Sequence, residues 1–318
     1  MDKQIKTIFM GTPELAKSGL QALLLDDSFL IQAVISQADK SSGRNLNIQK
    51  TPVKIIALEN NLLIYQPGKI KEIIKEISDL QPDLIVVIAY GKILPKEILD
   101  IPTYGCINVH ASLLPKYRGS SCIANPILEG DKVSGITIMK MDENMDTGDI
   151  IKQIEISLDE DETSKTLLDK IIRVTHDNLA KILKDYVNNN LKPFSQDNSK
   201  ATYVKMIKKE DGHLNFNETA EIIERKIRAY FPWPGTYSFL KKDDLSNNKL
   251  LFKILKSEKT LIPSDAPIGQ LFLDNNRLVV KCSDYGLVLS EVQLEGKKPM
   301  TTNEFLKGNA WIIGKILN

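Results

Sequence analysis

Histidine, cysteine and tryptophan are scarce in this chain: three, three and two among 318 residues. Cys106, Cys122 and Cys282 form no CxxC pair and are too few for a disulfide framework, which fits a reducing cytosol. No run of about 18 apolar residues exists to span a membrane. The first residues, MDKQIKTIFMG, lack a signal-peptide core and read as a first strand. These absences lead to the expectation of a cytoplasmic protein that does not meet a membrane. Several chemical signatures are missing as well. GTPELA, after the first strand, lacks the second and third glycines of GxGxxG, so NAD or FAD is rejected and Gly11 reads as a tight strand-to-helix turn. There is no GxSxG elbow for a serine nucleophile. The acidic run DENMDTGD is followed by Ile154 where an EF-hand needs a carboxylate, which disfavours calcium; no metal is expected.

Neither sign of charge dominates, but the balance shifts along the chain. Residues 1–190 carry 22 Lys/Arg against 26 Asp/Glu, and residues 191–318 carry 20 against 15. A basic rear half suits a polyanionic partner, although surface variation explains it equally well.

Hydrophobic content of 42% and charged content of 26% are those of a globular protein, and the length suggests two domains. The first half alternates strands and helices. Strands are expected at Lys6–Met10, Ile31–Ser36, Leu62–Tyr65, Asp83–Ala89 and Cys106–Val109. Helices are expected at Pro13–Leu25, Val53–Asn60 and Lys69–Ser78, the first two opened by Thr12-Pro13 and Thr51-Pro52. After Asp83, DLIVVIA is a continuous apolar run, as in a parallel strand covered on both faces. The alternation predicts an open, mostly parallel α/β sheet. Gln37–Lys50 reads as a surface loop and Thr163–Asn190 as one long helix. The polar stretch Leu191–Lys205 reads as a linker. Beyond it come a short helix, Ala220–Tyr230, and from about Leu250 short strands that suggest a small β-barrel. The expected domains are 1–190 and 207–318, joined by 191–206.

Ligands of open α/β sheets bind at the carboxyl ends of strands. One of the three histidines sits there, in NVHASLLPKYRG (108–119). Asn108 and His110 alternate on a strand and so share a face. Neutral asparagine amide and imidazole N–H groups are donors that can stabilise a developing oxyanion. The loop Met141–Asp149 offers carboxylates that could orient the imidazole and raise its pKa, or hold a water for proton transfer. Ser112 has no second histidine to activate it, and Cys106 lies inside a strand as packing. The set suits direct transfer of a small acyl group to an external amine.

FMGTPELA, AYGKILP, NVHASLLPKYRG and GITIMKMDENMDTGD, in this order, resemble the 10-formyltetrahydrofolate-dependent formyltransferases. Further segments, SGRNLNIQKTPVK, IERKIRAYFPWPG and LSEVQLEGKKPMTTNEFLKG, resemble the branch that formylates methionyl-tRNA. The similar segments run from Phe9 to Gly308. The resemblance implies an α/β, Rossmann-type catalytic domain with a mostly parallel sheet, followed by an OB-fold-like, tRNA-binding barrel. It implies formyl transfer from 10-formyltetrahydrofolate to the α-amine of methionyl initiator tRNA; a monomer is expected, although the sequence does not give the oligomeric state. Asn108, His110 and Asp146 then fall on the family's catalytic trio. Ser112, Leu113, Leu114 and Pro115 fall on its folate turn, and the backbone around Ala89, Tyr90, Gly91, Ile93 and Leu94 lines the pterin pocket. Arg44 matches an arginine that reaches the acceptor end, or is a solvated loop cation; the glycine and lysines usual after it are replaced by Asn45-Leu-Asn-Ile48. Lys208, Lys209, Arg225 and Arg228 are candidates for tRNA phosphates. Ser120-Ser121-Cys122 departs from the family's alanines and proline. Phe231-Pro-Trp-Pro-Gly235 reads as the packed exit of a helix in preference to a base-stacking platform. Rival readings are a formyltransferase for a nucleotide-linked amino-sugar and a non-catalytic RNA-binding protein.

Overall fold

The computed structural model describes residues 4–42, 47–241 and 249–318. It divides into two compact units, each made of several segments. The first comprises Met1–Cys122, Val133–Ser157 and Leu168–Lys205; the second comprises Ile123–Lys132, Leu158–Leu167 and Met206–Asn318.

The first unit is built on a seven-stranded sheet. Its order is Ile150–Ser157, Val133–Lys140, Cys106–His110, Leu84–Ile88, Ile5–Gly11, Phe29–Ile35, Ile64–Tyr65. The five strands from Cys106–His110 to Ile64–Tyr65 run parallel. All five residues of Leu84–Ile88 are buried, as expected of a central strand covered on both faces. The other two strands are antiparallel, a pairing that the strand–helix alternation does not announce. The loop Met141–Asp149 simply turns the chain back, with no helix to carry it across the sheet. The part of helix Ser164–Val187 in this unit buries Ile171, Thr175, Leu179 and Leu183, one stripe at four-residue spacing.

Local signals succeeded unevenly. Thr51 caps helix Pro52–Glu59 by accepting from the Lys54 N–H. Thr12 does not cap helix Glu14–Leu24: Pro13 holds the cap position, and the Thr12 hydroxyl accepts instead from the Gln37 N–H. The helix expected at Lys69–Ser78 is a 3-10 turn, Ile70–Ile73, leading into a short α-helix, Ile74–Asp79. The Gln37–Lys50 loop contains a hairpin, Lys40–Ser42 with Asn47–Gln49. Arg44 lies outside the described residues.

Leu191–Lys205 is more than a tether. Phe194 pairs with Ile150, and Tyr203–Val204 runs parallel to Arg118–Gly119. Most of the segment is exposed, yet Gln196, Asn198, Thr202 and Tyr203 bond Arg118, the Tyr117 N–H and the carbonyls of the Asp146 loop.

The second unit carries an antiparallel sheet in the order Thr236–Lys241, Lys249–Ile262, Gly286–Leu294, Arg277–Lys281, Leu271–Asp274, with Met300–Thr301 added to Gly286–Leu294. The segment Gly314–Asn318 bonds to both outer strands, at Phe239 and at Leu271, and so closes the sheet into a barrel. Helices Ala220–Ala229 and Thr302–Asn309 pack Ile223, Ile227 and Phe305 into its core. Phe231 and Trp233 are 41% and 59% exposed, so the expectation of a packed helix exit is corrected: only Tyr230 turns inward.

Candidate active site

Strand Cys106–His110 lies between Leu84–Ile88 and Val133–Lys140, which puts Asn108 opposite Val87 and Met139, and His110 opposite Thr137. His110 is 6% exposed. Its Nε2 pairs with the Tyr117 carbonyl at 3.0 Å, and its Nδ1 lies 3.7 Å from the Asp146 carboxylate. Burial pushes the imidazole toward its neutral form. Negative charge on the Cys122 sulfur and its hydrogen bond to the ring, then the Asp146 carboxylate and the Tyr117 carbonyl, act the other way and raise it to about 9. With Nε2 on the Tyr117 carbonyl, Nδ1 is the ring nitrogen that faces the Asp146 carboxylate. Asn108 shares its face, is half-buried, and has no hydrogen bond from its side-chain amide among the described residues. Of the sequence-predicted trio, His110 and Asp146 thus meet in space, and Asn108 lies on the strand face that carries His110.

The acidic loop is held by its own residues. Asp142 accepts from the Asn144 N–H and the Thr147 hydroxyl. A Cβ on Gly148 would run into the Lys140 carbonyl, so no other residue allows this close return. Asp146 adopts φ +56° and accepts from the Gly119 N–H at 2.8 Å. Gly119 itself has φ +112° and lies against the Val204 carbonyl, leaving no space for a side chain.

Thr137 organises the turn Ser112–Pro115. Its hydroxyl donates to the Ser112 carbonyl at 2.6 Å and accepts from the Leu114 N–H at 3.0 Å and the Gln153 amide at 3.0 Å. Gln153 also donates to the Leu114 carbonyl. Ser112 is fully buried, its hydroxyl donating to the Lys116 carbonyl, and Leu114 packs on Met139 and Ile150. Of this turn, Leu113 and Pro115 are the partly exposed members.

The second predicted ligand loop follows strand Leu84–Ile88. Tyr90 and Leu94 are buried in the core, whereas Ala89, Gly91 and Ile93 are exposed, Ile93 by 82%. Burial pushes the Tyr90 hydroxyl up to about 12. Gln37 donates to the Tyr90 carbonyl at 2.7 Å, and Lys92 donates to the Pro67 and Gly68 carbonyls. Met141 packs on the same cluster, and Lys96 pairs with Glu143, so this loop and the Asp146 loop adjoin.

Several residues here have no counterpart among the sequence expectations. Arg118 is 1% exposed and donates to Gln196, Asn198 and Tyr203. Gln196 in turn donates to the carbonyls of Asp146 and Gly148. Thr137 did carry a signal: a hydroxyl in a buried apolar run needs a partner. Gln196 carried none, since it lies in a stretch that reads as linker.

The predicted tRNA residues are dispersed in setting. Lys208 and Lys209 are exposed. Arg225 pairs with Glu221 and donates to the Glu129 carbonyl. Arg228 forms a two-pronged pair with Glu224, with only 17% and 8% of the two side chains exposed, and donates to the Glu162 carbonyl. The guanidinium forks of both arginines are thus directed at partners within the second unit.

The formyl transferase family model matches residues 3–183, and the model for the formyl transferase C-terminal domain matches residues 206–310. The methionyl-tRNA formyltransferase of Caldanaerobacter subterraneus subsp. tengcongensis is 40% identical over 316 residues, covering 98% of this chain and 100% of that protein. That of Alkaliphilus metalliredigens is 40% identical over 315 residues, covering 98% of each. Among solved structures, the sugar 3N-formyl transferase WlaRD, with dTDP and 5-N-formyl-THF, aligns with a TM-score of 0.64 at 23% identity, covering 93% of this chain and 99% of that one. HypX of Aquifex aeolicus with tetrahydrofolic acid aligns at 0.59 and 13% identity, covering 98% of this chain and 48% of that one. These two share the fold. Identity near 40% along almost the whole length, with both family models matched, places this chain in the methionyl-tRNA formyltransferase family.

Proposed function

We infer that this protein transfers a formyl group from 10-formyltetrahydrofolate to the α-amine of methionyl initiator tRNA, in the service of translation initiation. The observation that carries the chemistry is the His110 Nδ1–Asp146 pair at 3.7 Å, with Asn108 on the same strand face. The free amine attacks the formyl carbon. Asn108 and His110 donate to the oxyanion of the tetrahedral intermediate. The bond from that carbon to N10 then breaks; the amine's proton passes by way of Asp146 to N10, and tetrahydrofolate leaves. Each positioned donor of this kind contributes about 3 kcal/mol to lowering such a barrier.

The folate is read as lying between the Ser112–Pro115 turn and the backbone of residues 89–94, where exposed Ile93 offers apolar surface to a pterin ring. Charge in the 191–318 segment, Lys208 and Lys209 first, is read as meeting tRNA phosphates. The enzyme is read as a cytoplasmic monomer that uses no metal; no described helix is long and apolar enough to cross a membrane.

The test is transfer of labelled formyl to charged initiator tRNA, beside elongator methionyl-tRNA and a nucleotide-linked amino-sugar. Initiator tRNA is the expected acceptor, and preferential labelling of the sugar would replace this reading. His110→Ala and Asp146→Ala should each lower kcat more than tenfold; near-native single-turnover rates in either variant would refute these catalytic roles. Sedimentation of the purified chain checks the monomer.

A further inference from the structure

Arg118 heads the largest fully buried side chains of the described residues, at 1% exposure, and it bonds no carboxylate among them. Its guanidinium meets only neutral acceptors. Nε and Nη2 donate to Gln196 Oε1 at 3.2 and 2.7 Å, Nη2 to Asn198 Oδ1 at 2.7 Å, and Nη1 to the Tyr203 hydroxyl at 2.9 Å. The Tyr203 ring also lies 5.7 Å from Cζ. A buried cation without a counter-charge is costly, and packing alone would favour an apolar side chain.

Its surroundings indicate what the cost secures. Arg118 sits between two residues whose backbones hold the candidate site. The Tyr117 carbonyl pairs with His110 Nε2, and the Gly119 N–H bonds the Asp146 carboxylate. Gln196, which accepts two bonds from the guanidinium, uses its amide N–H groups on the Asp146 and Gly148 carbonyls at 2.9 and 2.8 Å. Arg118 therefore ties the segment 196–203 to the 117–119 backbone, and through Gln196 to the backbone on which Asp146 sits. An isolated, exposed arginine could do none of this; its five donors in a rigid plane are what let one side chain reach three acceptors.

We propose that Arg118 is a positioning residue for formyl transfer, setting the approach of Asp146 to His110 through Gln196. This rests on Asn108, His110 and Asp146 being the reacting trio, but its first test does not require the reaction. Two variants are informative. Arg118→Lys keeps the charge and removes the fork; Gln196→Leu keeps Arg118 on Asn198 and Tyr203 but cuts the link to the Asp146 backbone. The His110 imidazole, which faces Cys122 and Asp146, is titrated by NMR and assigned with His110→Gln, while His176 and a thermal melt report on folding of the first unit. Asp146→Asn should lower the His110 midpoint, because that carboxylate helps to hold the ring charged. Both Arg118→Lys and Gln196→Leu should lower it in the same direction, and Gln196→Leu should add nothing in the Asp146→Asn background. Unchanged midpoints, or additive shifts, would overturn the proposal whatever the enzyme's substrate.

Kinetics then separate positioning from plain stability. Misplacing a reacting group by an ångström can cost up to about a hundredfold in rate, so kcat should fall roughly tenfold or more with KM for the folate within about twofold. A KM effect with kcat retained would count against positioning. If wild-type enzyme formylates no methionyl-tRNA, the function reading fails, while the titrations still decide the role of Arg118.

Discussion

His110 is shut away from water, yet its contacts raise its pKa to about 9. Because that value is raised above the ordinary 6.5 of an exposed imidazole, the charged ring contributes stability that is complete below pH 6.5 and lost as pH rises through about 9. The same deprotonation converts the oxyanion donor to a weaker one. Activity should therefore fall on an alkaline limb near pH 9, and Asp146→Asn should move both that limb and the stability loss to lower pH. A kcat–pH profile and a series of thermal melts across the neutral-to-alkaline range measure the two; an alkaline limb unmoved by the substitution would contradict the assignment. Asn108 and His110 were readable because strand alternation places i and i+2 together. Asp146 was readable only as one of several loop carboxylates, and the resemblance singled it out. Which of them approaches the ring is decided by Asp142 closing the loop and by the close return at Gly148.

Among the elements, the turn Ser112–Pro115 depends on a strand that in sequence is only an apolar run. Thr137 satisfies the Ser112 carbonyl and the Leu114 N–H from within that strand, and Gln153 reaches the same point from the next. Thr137→Val keeps the shape and leaves these buried groups without their partner. The expected loss is about 1–3 kcal/mol of stability. KM for the folate should rise, because the turn and not the His110 face is disturbed. Denaturant unfolding with folate-dependent kinetics checks both, and an unchanged KM would remove the turn from the folate site. The helices and parallel strands were legible from periodicity and caps. The antiparallel pair and the true role of residues 191–205 were not, because neither pairing partner nor burial is a local property.

On the scale of the whole molecule, a weakly charged chain has to meet a highly charged ligand. Lys208 and Lys209 are exposed, whereas Arg228 is bound to Glu224 in a largely buried pair. Replacing both lysines by alanine should weaken tRNA binding and lower the slope of log K against log salt by about two. Arg228→Met should instead destabilise the second unit by roughly 3 kcal/mol through the stranded glutamate, with little change in that slope. Salt-dependent binding and melting of the two variants distinguish phosphate contact from internal pairing, and a large change of slope for Arg228→Met would reverse its assignment. What the sequence by itself determined was the α/β and β-barrel classes, the strand carrying Asn108 and His110, and the family, since these rest on periodicity and on motifs contiguous in the chain. Only the tertiary structure decided that His110 meets Tyr117 and Asp146, that a polar segment near residue 200 braces the Asp146 loop, and that Gly314–Asn318 closes the barrel. Each of those depends on groups far apart in the chain becoming neighbours, and a local pattern of residues does not record which partners meet.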